Sequence, residues 1–368
     1  MTRVTHRQIF HALERWAPKE FAYDWDNVGL QVGSVTEETT GVLVTLDVTE
    51  DIVKEAIEHK ANVIIAHHPM LFKPIKQIDF NTFQGALLKQ LIENDITVYA
   101  SHTNLDIAQG GVNDLLSEAI GLEDIKPLVP TYHESLVKLA VFTPISHVKH
   151  VVDSLSDAGA GHIGNYSHCT FQSEGTGTFK PLEGANPFIG SENKLERVEE
   201  IKIETIVEEK NIATVVAKMK EAHPYEEVAY DIYPLKNQGD EYGLGRIGTL
   251  KEPMTLQQFM HIVKERYNVS HLRFVGDRYR EVKRVAVLGG SGERYIDVAI
   301  RAGADVFITG DVTFHPAQEA ELKGLAIVDP GHHIEQIMKE ATKRYLEKQF
   351  SNVKVVASKI STEPFQFL

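Results

Sequence analysis

Hydrophobic and polar positions follow two different periods along this chain, and the change of period marks its parts. Behind Thr5, a residue suited to capping, Ile9, Phe10, Leu13 and Trp16 recur at helical spacing, so residues 5–16 are predicted to be a helix. Apolar runs at 41–48, 62–66 and 96–100 then alternate with helical stretches at 49–60 and 84–94. Strands apolar at nearly every position indicate a parallel sheet covered on both faces. The C-terminal part repeats that texture, with strands expected at 285–288, 305–309, 325–328 and 353–357 and helices at 293–302, 315–323 and 334–348.

The middle alternates instead. Leu136 to Phe142, residues 169–177, 202–207 and 228–233 suit half-buried strands, and 146–158 and 211–222 suit helices. Strand-helix-strand given twice is the ferredoxin-like order. The expected architecture is α/β: a three-layer domain, one sheet covered by helices on both faces, built from residues 1–127 and 238–368. A ferredoxin-like α+β domain, 128–237, is inserted into it, with linkers near Lys126-Pro127 and 236–240.

Composition narrows the classes. The 368 residues are 42% hydrophobic and 24% charged, ordinary for a globular protein and enough for two domains. The net charge of −14 argues against a nucleic-acid partner, whose backbone is held by clustered Lys and Arg. No apolar run approaches the ~20 residues of a membrane helix. The start of the chain lacks the apolar run of a signal peptide. The single Cys169 excludes an internal disulfide and an all-thiolate zinc site, and is expected to be inert. The expected compartment is the cytoplasm.

The chemistry lies at strand ends. His67 and His68 follow the run 62–66, and Pro69 closes it. His102 and Asp106 follow the run 96–100. Asp329-Pro330-Gly331 leads into His332, His333 and Glu335. Imidazole is the commonest metal ligand among side chains, and carboxylates bind one ion or bridge two. If a helix begins at the third segment, His332 and Glu335, three apart, share a face. Each segment also has a plainer use: a surface His-His, an Asp that caps a turn, a Glu in a capping box. Taken together they follow strands of one predicted sheet, at whose carboxyl ends ligands bind. Five candidates (His67, His68, Asp106, His332, Glu335) exceed a closed four-coordinate zinc site and suit two divalent ions with Glu335 or Asp106 bridging. Zinc is the first choice, and iron or manganese also suit a mixed set. His102 could be a ligand, a donor behind the ligands or a proton carrier.

At these residues the chain resembles the dinuclear-metal family of GTP cyclohydrolase 1 type 2 homologues, also called NGG-interacting-factor-like proteins. The resemblance is carried by the stretch 25–33 from Trp25 to Gly33, by 65–69 around His67-His68, by 101–106, by 308–311 ending in Asp311, and by 329–333. It implies the same five ligands; in a hydrolase built on them, His102 or Glu335 would move protons. It also implies a small nucleotide-like substrate and a hexameric ring, and for the middle segment, around 223–230, a PII/CutA-like module. Many members place the Glu four residues after the first His; here the gap is three. The expected activity is metal-dependent hydrolysis, the alternative a ring-shaped sensor or scaffold with structural metals.

Further candidates stand beside these. Gly289 to Gly292 could cradle an anion or simply turn. Asp311 and His315 could support the ligands, Trp25 could stack a ring, and Arg246 could reach a phosphate or an acidic neighbour.

Overall fold

The computed structural model describes residues 3–367. Two compact units are present. One runs to Tyr132 and resumes at Tyr242; the other is His133–Glu241. Residues 126–127 and 236–240 are not loops: they lie inside two long strands, Leu122–Pro144 and Tyr230–Thr255.

In the first unit the N-terminal strands form a sheet in the order Gly29–Val32, Thr97–Ala100, Val63–Ala66, Val42–Thr45, Val355–Ala357. The three central strands run parallel, with Val42 opposite Val63 and Val63 opposite Thr97. The expectation of one sheet shared by both outer segments is corrected here. Apart from Val355–Ala357, the C-terminal strands belong to a second sheet, in which Glu281–Ser291, Val306–Gly310 and Ala326–Asp329 lie side by side and parallel. Side chains alternating along the first sheet explain the difference. Val42, Val44, Val63, Ile65 and Tyr99 point into a core that also holds Val287, Phe307 and Ile308 of the second sheet. Leu43, Ile64 and Val98 point the other way, onto Ile52, Leu87 and Leu91 of helices Glu50–His59 and Phe83–Glu93. Both faces are apolar because both are covered, and a run of apolar residues does not say by what.

The first helix is His6–Trp16, with Thr5 at its cap and the Gln8 side chain accepting from the Thr5 amide at 2.9 Å. The second unit has its own core, including Val137, Leu139, Val141, Leu155, Ile203 and Val215. Its elements follow the expected strand-helix-strand order twice, with helices Val148–Asp157 and Ile212–Ala222. Among the described residues no helix is long and apolar enough to cross a membrane.

Candidate metal centre

The strand Val63–Ala66 ends, but its ladder continues for two residues. The His67 amide donates to the Thr45 carbonyl at 3.2 Å and the His68 amide to Leu46 at 3.0 Å, which pins both histidines at the carboxyl end of the first sheet. The neighbouring strand Thr97–Ala100 leads into a short helix, Thr103–Ile107, that carries Asp106, with His102 at its cap. From the second sheet, strand Ala326–Asp329 leads into a 3-10 turn, His332–Ile337; the α-helix begins only at Met338. In a 3-10 turn residues three apart eclipse. The three-residue gap is therefore the right one for this backbone, and His332 Nε2 lies 3.1 Å from Glu335 Oε2.

All five expected ligands and His102 come together. Glu335 Oε2 also stands 3.1 Å from His68 Nε2 and 3.8 Å from His67 Nε2, and His67 Nε2 stands 3.5 Å from Asp106 Oδ1. Three overlapping trios have ligand atoms within 4.8 Å of one another: His67 with Asp106 and Glu335, His68 with His332 and Glu335, and His67 with His68 and His102. Two ligands about 2.1 Å from one ion at right or tetrahedral angles stand about 3.0–3.4 Å apart, which is the scale of these separations.

Each imidazole is aimed from behind. Nδ1–H of His67 donates to the Ser101 carbonyl at 2.9 Å, that of His68 to Asp47 at 2.7 Å, that of His102 to Asp26 at 2.9 Å, and that of His332 to Asp311 at 2.6 Å. A carbonyl or carboxylate can only accept, so Nδ1 carries the proton and Nε2 faces the cluster. Ligating histidines are characteristically held in this way. The supports are themselves tied. Thr362 donates its hydroxyl to Asp47, and Thr103 donates both amide and hydroxyl to Asp26. Asp311 sits at φ 57°, a left-handed conformation unusual outside glycine.

The electrostatics require either protons or a cation. Burial, then the charge of Glu335, pushes Asp106 up to about 8. Burial opposes ionisation of Glu335 too, but hydrogen bonds from His332 and His68 and the nearby His67 ring outweigh it and hold that carboxyl well below the usual range. Burial pulls His68 down, yet Asp47 and Glu335 lift it to about 10. Glu335 and Asp311 lift His332 to about 9 against its burial. Among the described residues His67 Nε2 and Asp106 Oδ1 have no hydrogen-bond partner although both are buried. Buried polar atoms are rarely left so, and the set of imidazole nitrogens and carboxylate oxygens fits a divalent cation.

The glycines after strand Glu281–Ser291 make room for Glu335. A Cβ at Gly290, which sits at φ 61°, would stand 2.6 Å from Glu335 Oε1. The Gly289 amide is spent on the Asn113 side chain at 2.9 Å. Arg246 finds its acidic neighbour: it is buried and pairs with Asp114. His315 is exposed, and His333 stands outside the three trios. Asp26 and Asp47 were not singled out from sequence. Asp26 lies inside the stretch 25–33 and Asp47 just past the end of the strand Val42–Thr45, 21 residues before His68, and only the fold shows which imidazole each touches.

The cluster floors a cavity of about 610 Å³ whose walls include Tyr23, Trp25, Phe72, Arg294 and Tyr295. Trp25 is half exposed, stacks on Tyr23 at 5.7 Å and meets the His102 ring edge-on at 6.2 Å.

Comparison with known proteins agrees over the full length. The family model Duf34/NIF3 (NGG1p interacting factor 3) matches residues 4–364. A Halalkalibacterium halodurans protein named GTP cyclohydrolase 1 type 2 homolog is 51% identical over 98% of both chains. A Bacillus subtilis protein of the same name is 49% identical over 99% of both. The crystal structure of a Bacillus cereus protein related to NIF3 superposes with a TM-score of 0.94 at 48% identity, covering all of both chains.

Proposed function

Because this chain belongs to the Duf34/NIF3 family, we propose that it is a dinuclear metal-binding protein that hydrolyses a small, ring-bearing, phosphorylated or nucleotide-like molecule. The observation that carries this is the convergence of three Nε2 atoms, those of His67, His68 and His332, each aimed by a fixed partner, on two buried carboxylates, with His102 beside them. His67, His68, Asp106, His332 and Glu335 hold the ions. Glu335 belongs to two of the trios and is the bridging candidate. Zinc is the first choice of ion, then iron or manganese. Assembly as a homohexameric ring and a PII/CutA-like identity for the inserted unit belong to the same proposal.

When bound, divalent ions supply Lewis acidity, polarising an electrophilic centre and acidifying a coordinated water. The chain's own residues do the rest. Asp26 fixes His102 as the Nδ1–H tautomer, so Nε2 is free to take a proton and the carboxylate stabilises the resulting imidazolium. Arg294 offers a guanidinium to a phosphate, and Trp25 and Phe72 offer faces to a ring. Leu244 and Leu288 keep part of the wall dry.

Two measurements test this. Elemental analysis of protein purified without an affinity tag is expected to find two divalent ions per chain; none would remove the centre. Metal-loaded protein incubated with GTP is expected to release formate; silence at full occupancy would remove the cyclohydrolase activity and leave the centre standing.

A further inference from the structure

The inserted unit holds a second cavity, about 670 Å³, within the size range of small-molecule sites. Its chemistry is unlike that of the metal centre. Phe142, Phe179, Phe188 and Tyr225 line it together with Glu200. The Tyr225 ring is flanked by Phe179 at 5.9 Å, Phe188 at 6.4 Å and His223 at 5.0 Å.

Glu200 is the unusual member. It is only 8% exposed, and its carboxylate accepts a hydrogen bond from the Tyr225 hydroxyl at 2.9 Å. Among the described residues no cationic side chain pairs with it: Lys202, also in the wall, turns to Glu204 at 3.2 Å. The carboxylate is given space, since any side chain at Gly177 would stand 2.1 Å from it. His223 does not supply the missing charge. Its Nε2–H donates to the Phe142 carbonyl at 3.0 Å, its Nδ1 accepts from the Tyr225 amide at 3.1 Å, and burial lowers its pKa. The wall carries three more carboxylates, Glu174, Glu226 and Glu227, against the amines of Lys180 and Lys202.

A buried carboxylate without a cation is costly, and aromatic faces attract cations. We propose that this cavity binds a small organic ammonium ion with an apolar body, its charged head against Glu200 and Tyr225 and its body among the rings. Nothing in this site involves the metal-binding residues, so it stands or falls separately from the hydrolase.

The test uses the full chain, metal-loaded, titrated at neutral pH with phenethylammonium, phenethyl alcohol and phenylacetate by calorimetry and saturation-transfer NMR. Phenethylammonium is expected to bind at least tenfold more tightly than the alcohol, and phenylacetate more weakly than either. Glu200→Gln keeps the Tyr225 contact and removes the charge. It is expected to weaken the ammonium at least tenfold and leave the alcohol within twofold, with metal content and melting temperature unchanged. Phe188→Ala removes a half-exposed ring and is expected to weaken the ammonium several-fold. Equal affinity for ammonium and alcohol, a preference for phenylacetate, or unchanged ammonium binding in Glu200→Gln would each overturn the proposal.

Discussion

The two cavities differ little in volume, about 610 against 670 Å³, and almost completely in chemistry. One has a floor of imidazoles and carboxylates packed at 3–4 Å, each imidazole braced from outside. The other sets one buried carboxylate among rings. Volume alone would treat them alike. The difference lies in charge density and bracing: the first arrangement holds together only with protons or cations between its groups, the second calls for one diffuse positive charge.

The largest effect that could break this contrast is at Glu335. Glu335→Ala takes a member from two trios, so metal affinity is expected to fall at least ~100-fold, read by competition with a chelating dye; a smaller loss than in the bracing variants would deny Glu335 its bridging place. Next come the braces. Asp47→Asn or Asp26→Asn leaves each ring in place but weakens its hold, and losses of about 10–100-fold in metal affinity or turnover are expected. Asp47→Asn acts through His68 on metal content. Asp26→Asn acts through His102 and should appear chiefly in the pH profile of turnover.

Acidity sharpens the contrast further. In the metal-free chain His68 is held up to about 10 and His332 to about 9, against 6.5 when unfolded. Their contribution to stability is complete below pH 6.5 and is lost as pH rises through those values; Asp106, raised from 3.8 to about 8, acts in the same direction. Melting temperature of the metal-free chain is therefore expected to fall between pH 7 and 10, while the stabilisation by added zinc grows. A flat metal-free profile would contradict the geometry.

Gly290→Ala is expected to cost about 1–3 kcal/mol through its left-handed backbone and to displace Glu335, seen as lower melting temperature and lower metal affinity. The smallest expected effect is the absence of one: Glu200→Gln should leave metal content unaltered.

Much of this was legible in the chain itself. His67-His68, His102-Asp106 and His332-Glu335 each follow an apolar run short enough to be a strand, and a strand must end at a sheet edge. Local periodicity thus placed six chemical groups at strand ends, and the change to alternation at Leu136 marked the inserted elements. Three features depended on the tertiary structure. The outer segments build two sheets, because an apolar face records burial but not the partner that buries it. The braces Asp26 and Asp47 depend on contacts between residues far apart in sequence, which no spacing encodes, and Asp311, a candidate support from its strand end, is assigned to His332 only by the fold. And the segment winds as a 3-10 turn rather than the α-helix expected from Ile334, so that His332 and Glu335, three apart, eclipse: backbone winding, which periodicity alone did not show, brings imidazole and carboxylate together.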